Sequence, residues 1–353
     1  MRLVRLSRVI PGEELAQSII SSEGNILLNA GVKLNERFIK RLEIMGLNYI
    51  YVKDSNLEDI EPEDSKFVQL KAEAIKSISN VFSKVQSSNN FKVKETINVV
   101  EDMVDYLTCN REITSIHLTE LKTYDNYTFM HCLNSAVIGL YFGLEKGFTK
   151  NMLVDLGIGT ILHDIGKMRI PHNILNKDGK LTDEEFQEMK RHPEYGYEIL
   201  QKVDRISERA KSIVLQHHER IDGTGYPYAV KGDKISAYAK IACISDVYDA
   251  LISDRVYRKG FPANEAYEII MMNSGKLLDE ELVKIFQKNF SMYPLGIEVM
   301  LNNGLKGFVI GHNKGFPDRP IVRLVTNGSG EKISPVEVDL LKYLNISITD
   351  IIA

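Results

Sequence analysis

Residues 158–167 read Ile-Gly-Thr-Ile-Leu-His-Asp-Ile-Gly-Lys, an apolar run closed by His163 and Asp164 and followed at once by Ile165-Gly166-Lys167. Adjacent imidazole and carboxylate side chains can hold metal ions side by side. Downstream lie His192, the doublet His217-His218, the segment Asp222-Gly-Thr-Gly-Tyr-Pro227 and Asp246. A carboxylate can bridge two divalent ions through its two oxygens, while neutral imidazoles fill the remaining positions. Together these residues are the inventory of a hydrolytic metal cluster.

The region around this stretch, from about 113 to 290, is a succession of helical patterns broken by loops. Thr182 and Glu185 form a capping box that opens the helix leading to His192. Pro193 interrupts that helix, so His192 is expected at a helix end. His217 and His218 end the apolar helix around Ile213-Val-Leu215. Asp164 is expected at a helix C-terminus, where the helix dipole disfavours a negative charge and a nearby cation would compensate. His131 shares a helical pattern with Phe129, Leu133, Val137 and Ile138, a setting that taken alone suits a core histidine as well as a ligand.

The order His131, His163-Asp164, His192, His217-His218-Glu219-Arg220, Asp222 to Pro227 and Asp246 resembles the HD-GYP group of HD phosphohydrolases, bacterial cyclic di-GMP phosphodiesterases. The resemblance spans roughly residues 113 to 290. It implies a mainly α fold with an all-helical HD-type catalytic core. It also implies two divalent ions, iron or manganese, with His131, His163 and Asp246 on one, His192, His217 and His218 on the other, and Asp164 between them. Asp164 and Lys167 are the implied catalytic residues, and hydrolysis to pGpG, with slower cleavage to GMP, proceeds through a metal-bridged hydroxide.

Lys167, Arg255 and Arg258 match positions where the family holds the dinucleotide phosphates, which arginine suits through bidentate contacts. Without the resemblance they read as surface ion pairs. Tyr226 either stacks on a guanine or packs against the helices. Asp249 belongs with the substrate-binding set or, with Glu219, accepts ligand N–H protons or orients loops. Some family members hold a third metal through a glutamate four residues before the first histidine. This chain has Tyr127 there, a poor substitute for a carboxylate, so a two-metal site is expected; Asp125 is the residue that could still reach inward. Another cyclic dinucleotide, such as 3′,3′-cyclic GMP-AMP, is the alternative substrate, and a non-catalytic cyclic di-GMP sensor the alternative function.

With 353 residues the chain exceeds one ordinary core. Four parts are expected: an N-terminal α/β module at 1–65, a helical connector at 66–112, the catalytic domain at 113–294 and a small β-rich module at 295–353. The first contains a helix from Asn35 to about Met45 and a strand at 49–52. The acidic segment 58–64 reads as a solvated linker. The strands at 304–310 and 321–325, with the turn at 327–330, mark the last module, where His312 reads as a surface residue in a loop. Both flanking modules lack a clustered ligand set, so they are expected to be dispensable for the chemical step.

A net charge of −4 provides no global field to gather a nucleic-acid polymer, so any anionic ligand needs a local cation cluster. Cys109, Cys132 and Cys243 lie far apart and read as buried thiols of a reducing compartment. No apolar span is long enough for membrane insertion and no signal-peptide core follows the N-terminus, so a cytoplasmic location is expected. A homodimer or a signalling-protein partner is left open.

Overall fold

The computed structural model describes residues 1–21, 23–61, 64–88, 91–110, 127–177, 179–253, 260–327 and 331–352. In the first module β1 (Arg2–Arg5) pairs antiparallel with β4 (Tyr49–Val52), and β2 (Ile19–Ile20) with β3 (Ile26–Leu28). Helix α1 (Glu36–Ile44) starts at Asn35, whose side chain accepts from the Phe38 N–H at 2.9 Å. That bond satisfies one of the free donors of the first turn. Leu42 of α1 then closes a small core with Val4, Leu6, Leu15, Ile50 and Val52.

The helices that follow are α2 (Ser65–Ser88), α3 (Lys94–Cys109), α4 (Tyr127–Glu145) and α5 (Lys150–Ile161). A 3-10 turn at Ile165–Arg169 leads to the short α6 (His172–Leu175), α7 (Asp183–Met189), α8 (His192–Gln201) and α9 (Glu208–Gln216). Then come α10 (Ala237–Ile252), α11 (Ala263–Met272) and α12 (Glu280–Asn289). The expected connector proves to be core. Ile75, Ile78 and Phe82 of α2 and Val100, Met103 and Leu107 of α3 share one apolar cluster with Leu133, Leu140 and Ile161. An amphipathic helix gains its stability by burying its apolar face, so a pair carrying such stripes needs the catalytic helices as a partner and is no spacer. A second cluster joins α10 to α11 and α12 through Ile244, Tyr248, Ile270, Leu282 and Phe286.

Strands β5 (Glu298–Leu301), β6 (Lys306–Asn313), β7 (Phe316–Thr326), β8 (Lys332–Asp339) and β9 (Ile348–Ile351) form an antiparallel sheet in the order β8-β7-β6-β5-β9. Residues 328–330 of the expected turn lie outside the described residues. The two terminal modules are not independent. The Leu3 N–H donates to Gly296 O at 2.9 Å and the Tyr51 hydroxyl to Leu295 O at 3.1 Å. The expected solvated linker also packs here: its Ile60, with Leu57 just before it, is buried in the core of the sheet, and Arg323 clamps Asp59 through bonds of 2.6 and 2.7 Å. Ile60 within the acidic run, with Leu57 just before it, was the sign of this docking.

Two smaller expectations are corrected. His312 lies on β6, half-buried, with Nε2 2.6 Å from Tyr293 O, because the strand turns it towards the segment leading into the sheet. Cys109 is exposed at the end of α3, whereas Cys132 and Cys243 are buried. Among the described residues no helix is long and apolar enough to cross a membrane.

Candidate metal centre

Three helix ends and two helix interiors converge on one point. His131 projects from α4 and Asp246 from α10, His163 and Asp164 follow α5, His192 begins α8, and His217 and His218 follow α9. The capping box at Thr182 is present, but the helix it opens stops at Met189; Pro193 does not break it but lies in the first turn of the next helix. That is where a missing N–H costs nothing, so His192 stands at a helix start. Asp164 likewise does not end a helix. Helix α5 stops at Ile161, and Asp164 precedes the 3-10 turn, so its compensation comes from Lys167, with Nζ 2.6 Å from Asp164 Oδ2.

The backbone sets the tautomers of three candidate ligands. Nδ1 of His163 lies 2.7 Å from Thr160 O, that of His192 2.8 Å from Met189 O and that of His217 2.9 Å from Val214 O. A carbonyl only accepts, so each Nδ1 carries the proton and each neutral ring presents a lone pair on Nε2. Burial holds His163 below its ordinary pKa, takes His192 down to about 4, and keeps His217 and His218 well below the usual histidine range. The rings are therefore in the ligating form at neutral pH. Nε2 of His192 and Nε2 of His217 face each other at 3.2 Å. Two lone pairs repel at that distance. Ligand nitrogens that share one ion at about 2.0–2.1 Å stand roughly 3.0–3.4 Å apart.

Potential ligand atoms gather in two groups, His192 with His217 and His218, and His131 with His163 and Asp164. Asp164 is turned to both: Oδ2 is 3.4 Å from His163 Nε2, and Oδ1 is 3.4 Å from His192 Nε2. Its Oδ1 is buried without a hydrogen-bond partner, an expensive state for a carboxylate that a cation would relieve. Burial alone would raise the Asp164 carboxyl, but Lys167 and the surrounding imidazoles outweigh it and hold it well below the carboxylate range. Asp246 also spans the groups, with Oδ1 3.0 Å from His131 Nε2 and Oδ2 3.8 Å from His218 Nδ1. These donors, three of them oriented neutral imidazoles around an orphaned carboxylate oxygen, fit divalent ions.

His131 is held differently. Burial would lower its pKa, but hydrogen bonds to Asp246 and Asp249 push it up to about 9. A divalent cation held by His131 and Asp246 would take over the role of that proton. Asp249 does not line an open surface. It is 1% exposed, 2.6 Å from His131 Nδ1, and accepts from Asn134 Nδ2 at 3.0 Å. Its place behind a ligand makes it an orienting residue and not a substrate contact. Asn134 was missed in the sequence, although its position three residues after His131 puts it on the same helix face. Asp249→Asn is expected to leave the fold intact and weaken metal binding about 10- to 100-fold, as loss of a histidine's carboxylate partner does; chelator competition measures it.

Glu219 accepts from the Tyr228 and Val230 N–H groups at 2.8 and 3.2 Å, so it holds the glycine-rich loop and no ligand ring. The loop places Tyr226 with its ring centre 4.6 Å from that of His218, packed on the cluster and partly open to solvent. Arg255, Arg258 and Asp125 lie outside the described residues, as does the side chain of Tyr127.

The fold and the site define an HD domain. The HD domain family matches residues 109–282, and a KOW domain associated with HD domain matches residues 298–353. The chain is 39% identical over 195 residues to a cyclic di-GMP phosphodiesterase of Pseudomonas aeruginosa, covering 55% of this chain and 47% of that protein. It is 42% identical over 140 residues to the cyclic di-GMP phosphodiesterase response regulator RpfG of Xanthomonas campestris, 39% of this chain and 37% of that one. It is also 38% identical over 133 residues to a 3′3′-cGAMP-specific phosphodiesterase of Vibrio cholerae, covering 37% of this chain and 26% of that protein. The matched region thus spans about half or less of each of these relatives. An HDG"Y"P protein from Bdellovibrio bacteriovorus shares the fold, with a TM-score of 0.52 at 19% identity over 80% of this chain and 96% of that one. Residues 109–282 place the chain in the HD domain family.

Proposed function

We propose that this chain hydrolyses cyclic di-GMP to pGpG, with slower cleavage to GMP, at a site that holds two divalent ions, iron or manganese. The observation that carries this reading is Asp164, a buried carboxylate with one oxygen turned to each of two ligand groups. The ions would supply Lewis acidity and a water acidified towards neutrality. His131, His163 and Asp246 would hold one ion and His192, His217 and His218 the other, with Asp164 serving both. Asp249 keeps His131 in register. Lys167, with its side chain 25% exposed, reaches from Asp164 towards the mouth of the site and offers positive charge to the phosphoryl oxygens. Tyr226 walls the same mouth beside His218, where a base can lie against its ring. Arg255 and Arg258 bind the phosphates.

The relatives named for cyclic di-GMP support this substrate. The relative named for 3′3′-cGAMP supports a second reading, in which the same machinery opens that dinucleotide. The test is to purify the chain without oxygen, load it with metal, and follow both dinucleotides and their products by chromatography. Turnover of cyclic di-GMP with two ions per chain at saturation is expected. Saturation at one or three ions overturns the binuclear site, and preferred turnover of cyclic GMP-AMP reassigns the substrate. Tight binding of cyclic di-GMP without turnover makes the chain a sensor.

A further inference from the structure

We infer that the basic pocket between the start of α3 and the loop joining α8 to α9 binds a nucleoside diphosphate. The pocket has a volume of about 450 Å³, within the range of small-ligand sites. Cations line it on three sides of the chain: Lys92 and Lys94 flank Val93 at the start of α3, Lys202 and Arg205 lie in the loop, and Arg169 ends the 3-10 turn. Val93 and Ile199 of the lining are buried in the main apolar cluster, and Phe91 and Val203 pack against it. Both pairs of loop cations therefore hang from segments anchored in one core.

Charge selects the anion. Arg169 is paired with Glu198 at 2.6 Å, but Lys92, Lys94, Lys202 and Arg205 have no ion-pair partner among the described residues. Against these four stands one lining carboxylate, Asp204, an excess of three positive charges in a chain whose net charge is −4. A nucleoside diphosphate brings about three negative charges at neutral pH, since a terminal phosphate is close to doubly ionised. Two of the cations are also held at a cost. Lys94 is the first residue of α3, where the helix dipole disfavours a cation; Glu95 beside it does not line the pocket and lies 3.4 Å from Asn80 Nδ2. Arg205 has a φ of 75°, a left-handed conformation that glycine adopts without strain. An arginine kept there points to a use for its side chain. Phe91 supplies a half-buried ring against which a base can lie, and Asp204 an acceptor for ribose hydroxyls. Bare pyrophosphate would use neither.

The pocket contains none of the candidate metal ligands but shares two elements with them. The turn Ile165–Arg169 carries Lys167 as well as Arg169, and α8, which supplies Ile199 and Glu198, begins at His192. A phosphate that draws Arg169 from Glu198 therefore shifts the turn against the helix. This coupling to turnover rests on the phosphodiesterase reading above; the binding does not.

The test uses the full chain with ADP as the probe and photolabelling by 8-azido-ADP to locate it. Label is expected within residues 91–94 or 199–205, protected by ADP and not by adenosine. In equilibrium dialysis Lys202→Glu and Arg205→Glu, both at exposed positions, should each weaken ADP binding roughly tenfold or more, the scale of one charge-assisted hydrogen bond. Arg205→Gly separates binding from folding: it removes the backbone strain, so the melting temperature should hold or rise while ADP binding weakens. Circular dichroism and metal content check that each variant is folded. Unchanged affinity in the folded variants, or label confined to other parts of the chain, overturns the site. Pyrophosphate that competes as well as ADP overturns the nucleoside part of the assignment. An RNA oligonucleotide that binds more tightly than ADP and protects the same residues overturns it in favour of a nucleic-acid surface. Saturating ADP is also expected to shift KM for cyclic di-GMP about fivefold, the low end of coupling between sites, in the parent chain and not in Arg205→Glu. An unchanged KM with binding intact overturns the coupling. Photolabelling is read without turnover, so an inactive chain would refute the phosphodiesterase reading and leave the pocket to be judged separately.

Discussion

Asp164→Ala is expected to lower turnover of cyclic di-GMP, the proposed substrate, by about four orders of magnitude and to leave most chains without a full set of the proposed ions. The size follows from cooperation, since removing one member of a catalytic set costs nearly as much as removing the set. Asp164 is 1% exposed and contacts Lys167, His163 and His192, so its loss does more than delete one bond. It leaves the Lys167 ammonium without its carboxylate and both ligand groups without a shared anion, and an uncompensated charge in a buried site is strongly unfavourable. Asp164→Asn separates charge from shape: it retains one oxygen and the volume, so it should keep more metal than the alanine variant and still lose most of the rate. Metal analysis of anaerobically purified protein and product chromatography measure both effects. Full metal occupancy with turnover within tenfold of the parent chain would remove Asp164 from its bridging role.

Gly166→Ala should be nearly as damaging without touching a ligand. A Cβ at this position would lie 1.9 Å from His192 O and 2.4 Å from Gly196 N. Both are backbone atoms of α8, so no side chain can swing aside, and the helix must move away from the turn that carries Lys167. His192 moves with it. Overpacking costs about 1–3 kcal/mol and more where the backbone cannot yield, so about 3 kcal/mol is expected in urea unfolding. A ligand displaced by about 1 Å costs on the order of 100-fold in rate. Gly139→Ala is the matched control, since its Cβ would meet Ser245 Oγ and Thr160 Oγ1 at an ordinary 3.6 Å. That helical variant should be neutral or slightly more stable. Equal behaviour of the two variants would show that the close approach at Gly166 is not what seats α8.

The sequence by itself picked out the side chains that gather at the candidate metal centre, because the chemistry of such a site resides in side-chain identity: His163 with Asp164, the doublet His217-His218 and the spaced His131, His192 and Asp246 are readable wherever the chain runs. Helical periodicity likewise marked α2, α3 and α9, and Asn35 and Thr182 marked helix starts, since caps and amphipathic stripes are written within a few neighbouring residues. Tertiary structure alone decided the rest. The carbonyls of Thr160, Met189 and Val214 that fix three tautomers carry no sequence signal, because every residue has one. Asp249 became the support of His131 across 118 positions of chain, a contact that no local pattern encodes. The same holds for the supposed connector and linker. Periodicity shows that a face is apolar but not what will cover it, and the partners here, α4 and α5 for one and the terminal sheet for the other, are chosen only when the whole chain is packed.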